Sequence, residues 1–150
     1  MEIYFLASDR AHNVLRDLHI NKGCTKAHHN NIIEFNADQK TELLLVMKKL
    51  ERILEPHLLG IGRIDFILLK PGVYWDFPFT WGKSVIAMTP TMFGKPSSQI
   101  LKILAHELVH LDQRRSPDKY EQYYTKLGFK KLRNIDFGAL KPYLLRNPDA

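Results

Sequence analysis

The run Ile103-Leu104-Ala105-His106-Glu107-Leu108-Val109-His110-Leu111 places two histidines four residues apart with a glutamate beside the first. An α-helix turns about 100° per residue, so positions i and i+4 share one face and their imidazoles can reach a single tetrahedral ion. Ile100, Leu101, Ile103, Leu104, Leu108, Val109 and Leu111 give the flanks the apolar density of a buried helix. Between Lys102 and Asp112 the one formal charge is Glu107, and an ionisable trio in so apolar a helix needs a partner. Zinc held by three protein ligands keeps a water in its fourth position and brings that water's pKa to about 7, where a nearby carboxylate can take the proton. The residues therefore point to metal-assisted hydrolysis of a carbonyl compound, with Zn2+ as the cofactor. The alternative is an amphipathic helix whose histidines and glutamate are hydrogen-bonded to one another or to solvent.

The same run resembles the active-site helix of the zincin-type metallopeptidases, over about twenty residues around the HExxH pattern. The resemblance implies His106 and His110 as zinc ligands and Glu107 as the general base and later proton donor in hydrolysis of a peptide or protein substrate. The metzincin branch would continue with glycine and histidine where this chain has Gln113 and Ser116. That branch is excluded.

No histidine follows His110, so a third ligand downstream must be acidic: Asp112, Asp118, Glu121, Asp136 or Asp149. Asp112 lies about 200° around the same helix from His110 and is set aside, as is Asp149 near the terminus. Ser116 followed by Pro117 reads as an N-cap with proline at N1, opening a second helix that runs through Lys126-Leu127 to a terminating Gly128. A gluzincin-like arrangement, in which a second helix offers a glutamate to zinc, makes Glu121 the expected third ligand and Asp118 the next. The short separation from His110 is closer to that of aspartate-liganded zincins, so the subtype is open. Asp136, or a residue beyond Ala150, stays in the reckoning, because the chain is read as possibly truncated at its C-terminal end.

The chain has 150 residues, 45% of them hydrophobic, which suits one globular domain, 1–150, with a sizeable core. Its solitary Cys24 cannot close an internal disulfide. The start Met1-Glu2-Ile3-Tyr4-Phe5-Leu6-Ala7 lacks the basic residues and apolar length of a secretory signal, and no stretch approaches about 18 apolar residues. These features predict an intracellular domain with no membrane contact. The formal charge of +6 favours anionic partners. Lys130, Lys131, Arg133, Lys141 and Arg146, interleaved with Phe129, Phe137 and Tyr143, could meet a nucleic acid, although the same pattern describes a strand with a solvated face.

Outward from the motif, the order of elements is mixed. Residues 2–7 read as a strand and Ser8 as the cap of a helix over about 9–19. A polar loop over 21–31 follows, in which His28-His29 lacks the spacing of the later pair. Residues 32–35 read as a short strand, and Asn36 caps the longest helix, about 37–54, with Leu43, Leu44, Val46, Met47, Leu50, Ile53 and Leu54 as its apolar stripe. Residues 63–69 form a strand broken by Pro71-Gly72. Val73–Phe77 and Ser84–Met88 are expected to pair as an edge hairpin, with Trp75, Phe77, Phe79 and Trp81 lining substrate pockets or packing in the core. Ser97 or Ser98 would cap the motif helix, and Tyr120, Tyr123, Tyr124 and Tyr143 are candidate oxyanion donors.

The expected architecture is α+β: a single zincin-like domain whose small twisted sheet carries an edge hairpin just before the HExxH helix. Its function is expected to be zinc-dependent peptide hydrolysis. A catalytically inactive zincin-like module binding protein or nucleic acid is the alternative, favoured by the basic charge and the open third ligand; the presence of Glu107 argues for activity, since such a module has no need of the base. A third class rests on Tyr123-Tyr124-Thr125-Lys126-Leu127-Gly128-Phe129, which resembles the late helix-to-strand passage of acyl-CoA-dependent N-acetyltransferases. Those enzymes need a glycine-rich turn opening a helix, and Gly60-Ile61-Gly62 precedes a strand instead.

Overall fold

The computed structural model describes residues 1–7, 10, 11, 13, 30–54 and 62–130. They form an α+β arrangement of a small mixed sheet and three helices, with strands β1 (Glu2–Phe5), β2 (Ile32–Ile33), β3 (Arg63–Leu69), β4 (Phe79–Trp81) and β5 (Val85–Met88). The helices are α1 (Ala37–Leu54), α2 (Ser97–Arg115) and α3 (Pro117–Lys126). The expected helix over 9–19 and the loop with Cys24 and His28-His29 fall mostly outside the described residues. No helix among the described residues is long and apolar enough to cross a membrane.

The sheet is organised around β3. Its run Ile64-Asp65-Phe66-Ile67-Leu68-Leu69 is buried throughout, as expected of a strand covered on both faces. β1 and β5 run parallel to β3, with Phe5 and Ile86 both opposite Phe66. β2 pairs antiparallel with the far end of β3, and β4 closes the sheet beyond β5, antiparallel to it. Alternation of side chains sorts the core into two layers. Ile64, Phe66, Leu68, Ile86 and Met88 pack with Leu43, Met47 and Leu50 of α1 and Ile100, Leu104, Leu108 and Leu111 of α2. On the opposite face Ile67, Leu69, Phe79, Val85 and Ala87 pack with Leu6 and Ala11.

α1 begins where the sequence places it, and through the expected device. Asn36 Oδ1 accepts the Gln39 amide at 2.9 Å while Gln39 Oε1 accepts the Asn36 amide at 3.0 Å, a reciprocal capping box. Its buried stripe is narrower than expected: Leu43, Val46, Met47 and Leu50 face the sheet, whereas Leu44 and Ile53 are exposed. These two lie on either flank of the stripe, outside the arc that one sheet face can cover.

The first strand of the expected hairpin is displaced. Val73–Asp76 is a 3-10 turn, and the strand that pairs with β5 is Phe79–Trp81. Trp75 and Asp76 have φ of 55° and 62°, values that a strand cannot contain, and Asp76 Oδ1 accepts the Gly72 amide at 2.7 Å to hold the turn. Pro78, with no amide hydrogen, then separates the turn from β4. The four aromatics divide accordingly. Phe79 is fully buried and Trp81 packs against the second core layer, while Trp75 and Phe77 are 79% and 68% exposed.

The packing predicts an asymmetry between two leucine truncations. Leu104→Ala removes a fully buried side chain at the helix–sheet contact and should cost about 2–5 kcal/mol. Leu45→Ala, on the exposed face of α1, should change stability by less than about 0.5 kcal/mol. Urea unfolding midpoints of the two variants check both values.

Candidate metal centre

α2 is seated by its apolar stripe and riveted at its C-terminal end. The serine cap expected at its start is not formed. Pro96 occupies the N-cap position, and its carbonyl accepts the amides of Gln99 and Ile100, so Ser97 is already inside the first turn. At the other end Arg115 Nη2 donates to the Arg63 carbonyl at 2.6 Å and Nε to the Lys83 carbonyl, while Arg114 donates to Thr80 Oγ1 of β4. Burial pulls the Arg115 pKa down, and the nearby Asp112 and Asp65 carboxylates oppose that shift. Two arginines in the last turn also complement the helix dipole.

This seating turns one face of α2 outward, and the histidines lie on it. His106 Nε2 and His110 Nε2 approach to 2.9 Å, with the rings nearly perpendicular at 88°. His106 is exposed and His110 half-buried. Two nitrogen ligands at about 2.0–2.1 Å from a tetrahedral zinc stand about 3.3 Å apart. The observed pair needs to open by only a few tenths of an ångström, so its donor atoms and their convergence fit two ligands of one ion. Glu107 falls one residue round the helix, on the core-facing arc with Leu104, Leu108 and Leu111, and is 3% exposed. Its Oε2 is shut off from solvent and accepts no hydrogen bond, while the side chain as a whole is engaged by other contacts.

The third ligand is not assembled. Among the described residues no group of three or more His, Cys, Asp or Glu side chains stands where it could share an ion. Glu121 lines an open cleft beside α3 together with Gln113, Tyr120, Tyr124 and Thr125, and Asp118 is exposed. Neither joins the histidine pair. Tyr120 and Tyr124, spaced i and i+4, bond back to α2 together with Lys119, and Glu121 stands about 100° round α3 from Tyr120, on the side away from Lys119. Asp136 and Asp149 lie outside the described residues, as do Lys131, Arg133, Lys141 and Arg146 of the basic group, of which Lys130 alone is described.

α3 opens at Pro117 and stops at Gly128 as the sequence indicates, although Ser116 forms no side-chain cap. The stop is a Schellman turn: Gly128, with φ of 86°, donates to the Thr125 carbonyl and Phe129 to the Tyr124 carbonyl. Phe129 then closes edge-on against Tyr124, ring centroids 6.1 Å apart. α3 has no buried residue of its own and is held to α2 by polar groups. Lys119 Nζ and the Tyr120 hydroxyl donate to Asp112 Oδ2 at 2.7 and 2.8 Å, and Gln113 Nε2 donates to the Tyr124 hydroxyl at 2.6 Å.

Sequence reasoning removed Asp112 from the metal and did not see its use. It is buried at the joint of the two helices, its Oδ1 accepting no hydrogen bond. Gln113 was likewise missed as a neighbour of the site, although its position three residues after His110 puts it on the same face. The candidate oxyanion donors are also redistributed. Tyr120 and Tyr124 are committed to Asp112 and Gln113, Tyr123 is exposed, and Tyr143 lies outside the described residues. Comparison with protein-family models, curated proteins and solved structures gives no match to this chain.

The Asp112 joint has a pH signature. Burial, and then the hydrogen bond to the Asp112 carboxylate, push the Tyr120 phenol well above its ordinary pKa. An unfolded tyrosine ionises near pH 10, so the contribution of Tyr120 is complete below that value and is lost as pH rises past it, where only the unfolded chain sheds the proton. Tyr120→Phe should lower stability at neutral pH by about 1.5–3 kcal/mol, the range for hydrogen bonds to charged groups. It should also flatten the alkaline loss, as read from urea midpoints across a pH series.

Proposed function

We propose that this chain is a zinc-dependent peptidase of zincin type, with His106 and His110 holding the ion and Glu107 acting as general base. The convergence of the two Nε2 atoms at 2.9 Å on the open face of a buried helix carries the reading. A further feature supports it. Glu107 is a carboxylate placed on the core-facing arc beside the histidines, a costly position for a group with no chemical task.

His106 and His110 would hold the ion through their Nε2 atoms, and zinc there would supply Lewis acidity and lower the pKa of a water toward about 7. The Glu107 carboxylate takes the proton released in the attack and passes it to the leaving amine nitrogen. Glu121 is proposed as the third ligand on the resemblance alone. A zincin-like module that binds protein or nucleic acid without turnover is the second reading, favoured by the lack of a third acidic ligand beside the pair among the described residues.

Elemental analysis of the purified chain should give about one zinc per chain, retained in Glu107→Gln and lost in His110→Ala. Glu107→Gln should lower peptide cleavage by about 10²–10⁴-fold. Glu121→Ala should bind zinc weakly; unchanged stoichiometry and affinity would remove Glu121 from the site. Cleavage by a metal-free sample would refute the mechanism, and zinc without cleavage would establish the second reading.

A further inference from the structure

We propose that the exposed aromatic arc of α3, together with Lys126 and Lys130, binds single-stranded nucleic acid by base stacking, with or without a metal at the histidines. α3 has no buried residue, and its apolar side chains are gathered on one side. Helical spacing puts Tyr123, Leu127 and Tyr124 within an arc of about 100°. Phe129, just past the Schellman turn, joins them. Tyr124 is the hub: the Tyr123 ring meets it at 5.9 Å and the Phe129 ring at 6.1 Å, with interplanar angles of 61° and 78°. Tyr123 and Phe129 are 56% and 65% exposed, so each keeps a π-face open to solvent, and Leu127 is exposed beside them. A contiguous apolar surface of this kind marks a contact site.

Charge separates across this arc. Lys126 stands about 60° beyond Tyr123, while Glu121 and Asp118 fall about 60° and 120° beyond Tyr124, on the opposite flank. Lys130 lines the same cleft as Tyr124 and Phe129. The rings therefore have ammonium groups along one side and at one end, in a chain of formal charge +6. An apolar protein surface would match the rings and Leu127 but would shut the neighbouring lysines away from water, at a cost. A single-stranded nucleic acid matches both, because its bases stack on aromatic faces whatever their sequence and its phosphates pair with the ammonium groups. A duplex hides its base faces in its own stack, so the unpaired strand is the form that fits.

Fluorescence anisotropy with a short fluorescein-labelled oligonucleotide of mixed sequence, as single-stranded DNA, single-stranded RNA and duplex, reads the binding directly. The single strands should bind more tightly than the duplex. Tyr123→Ala and Phe129→Ala should each weaken single-strand binding about 5–100-fold with the salt dependence unchanged, while Tyr123→Phe keeps the wild-type affinity. Lys126→Ala and Lys130→Ala should each reduce the slope of log affinity against log salt by about 0.7. Trp75→Ala, which removes an exposed ring on another element, should leave binding as it is. Urea midpoints confirm that each variant is folded, and Tyr123→Ala decides the matter if Phe129→Ala is not. No binding at low salt, equal binding of duplex and single strands, or an affinity unchanged in both Tyr123→Ala and Phe129→Ala overturns this role. So does a wild type that sediments as a dimer and becomes a monomer in Phe129→Ala, which would give the face to a second copy of the chain.

Discussion

Burial of one arc of α2 against the sheet is the constraint on which the other features of this protein depend. Ile100, Leu104, Leu108 and Leu111 fill the layer between β3, β5 and α1, and each is fully buried. Once that arc is fixed inward, helical geometry leaves no choice about the rest of the circumference. His106, His110 and Gln113 must lie along the outer face, and Glu107 must lie on the core side of the histidines. Arg114 and Arg115 add register to this rotation by joining the end of the helix to β4 and β3.

The two helices that meet at Ser116 are stabilised by different physics. α2 is held by apolar area, which is tolerant of small shifts and proportional to what is buried. α3 buries no residue and depends on directed bonds to Asp112 and Gln113. Such bonds fix distance and angle closely but contribute little each in net terms. The consequence is a site with one rigid wall and one wall whose position follows a few polar contacts. Asp112 supports those contacts from a buried position, where a carboxylate is tolerated only because two donors converge on one of its oxygens.

Much of this was legible in the residues because it is written in local code. The Arg63–Leu69 strand, the Asn36 cap of α1 and the Pro117-to-Gly128 limits of α3 all depend on side chains within a few positions of one another. The displaced hairpin shows where such code fails. Val73-Tyr74-Trp75-Asp76-Phe77 has strand-like composition, yet Gly72 and Asp76 close a turn across it, and the pairing with β5 passes to Phe79-Thr80-Trp81. Composition registers what a residue prefers; it does not register which of two adjacent aromatic segments finds the sheet edge.

The histidine pair and its glutamate were determined by the sequence itself, since a spacing of four residues on a helix is a three-dimensional statement already. The tertiary structure alone decided what surrounds them. Asp112 meets Lys119 and Tyr120, and Gln113 meets Tyr124, only because the chain reverses at Ser116 and brings α3 back along α2. The same reversal set Glu121 on the wall of the cleft it shares with Gln113, where it completes no three-ligand group with the histidines. Contacts between helices depend on the angle of the turn joining them and on which side chains interlock, and neither quantity is carried by periodicity along one strand of sequence.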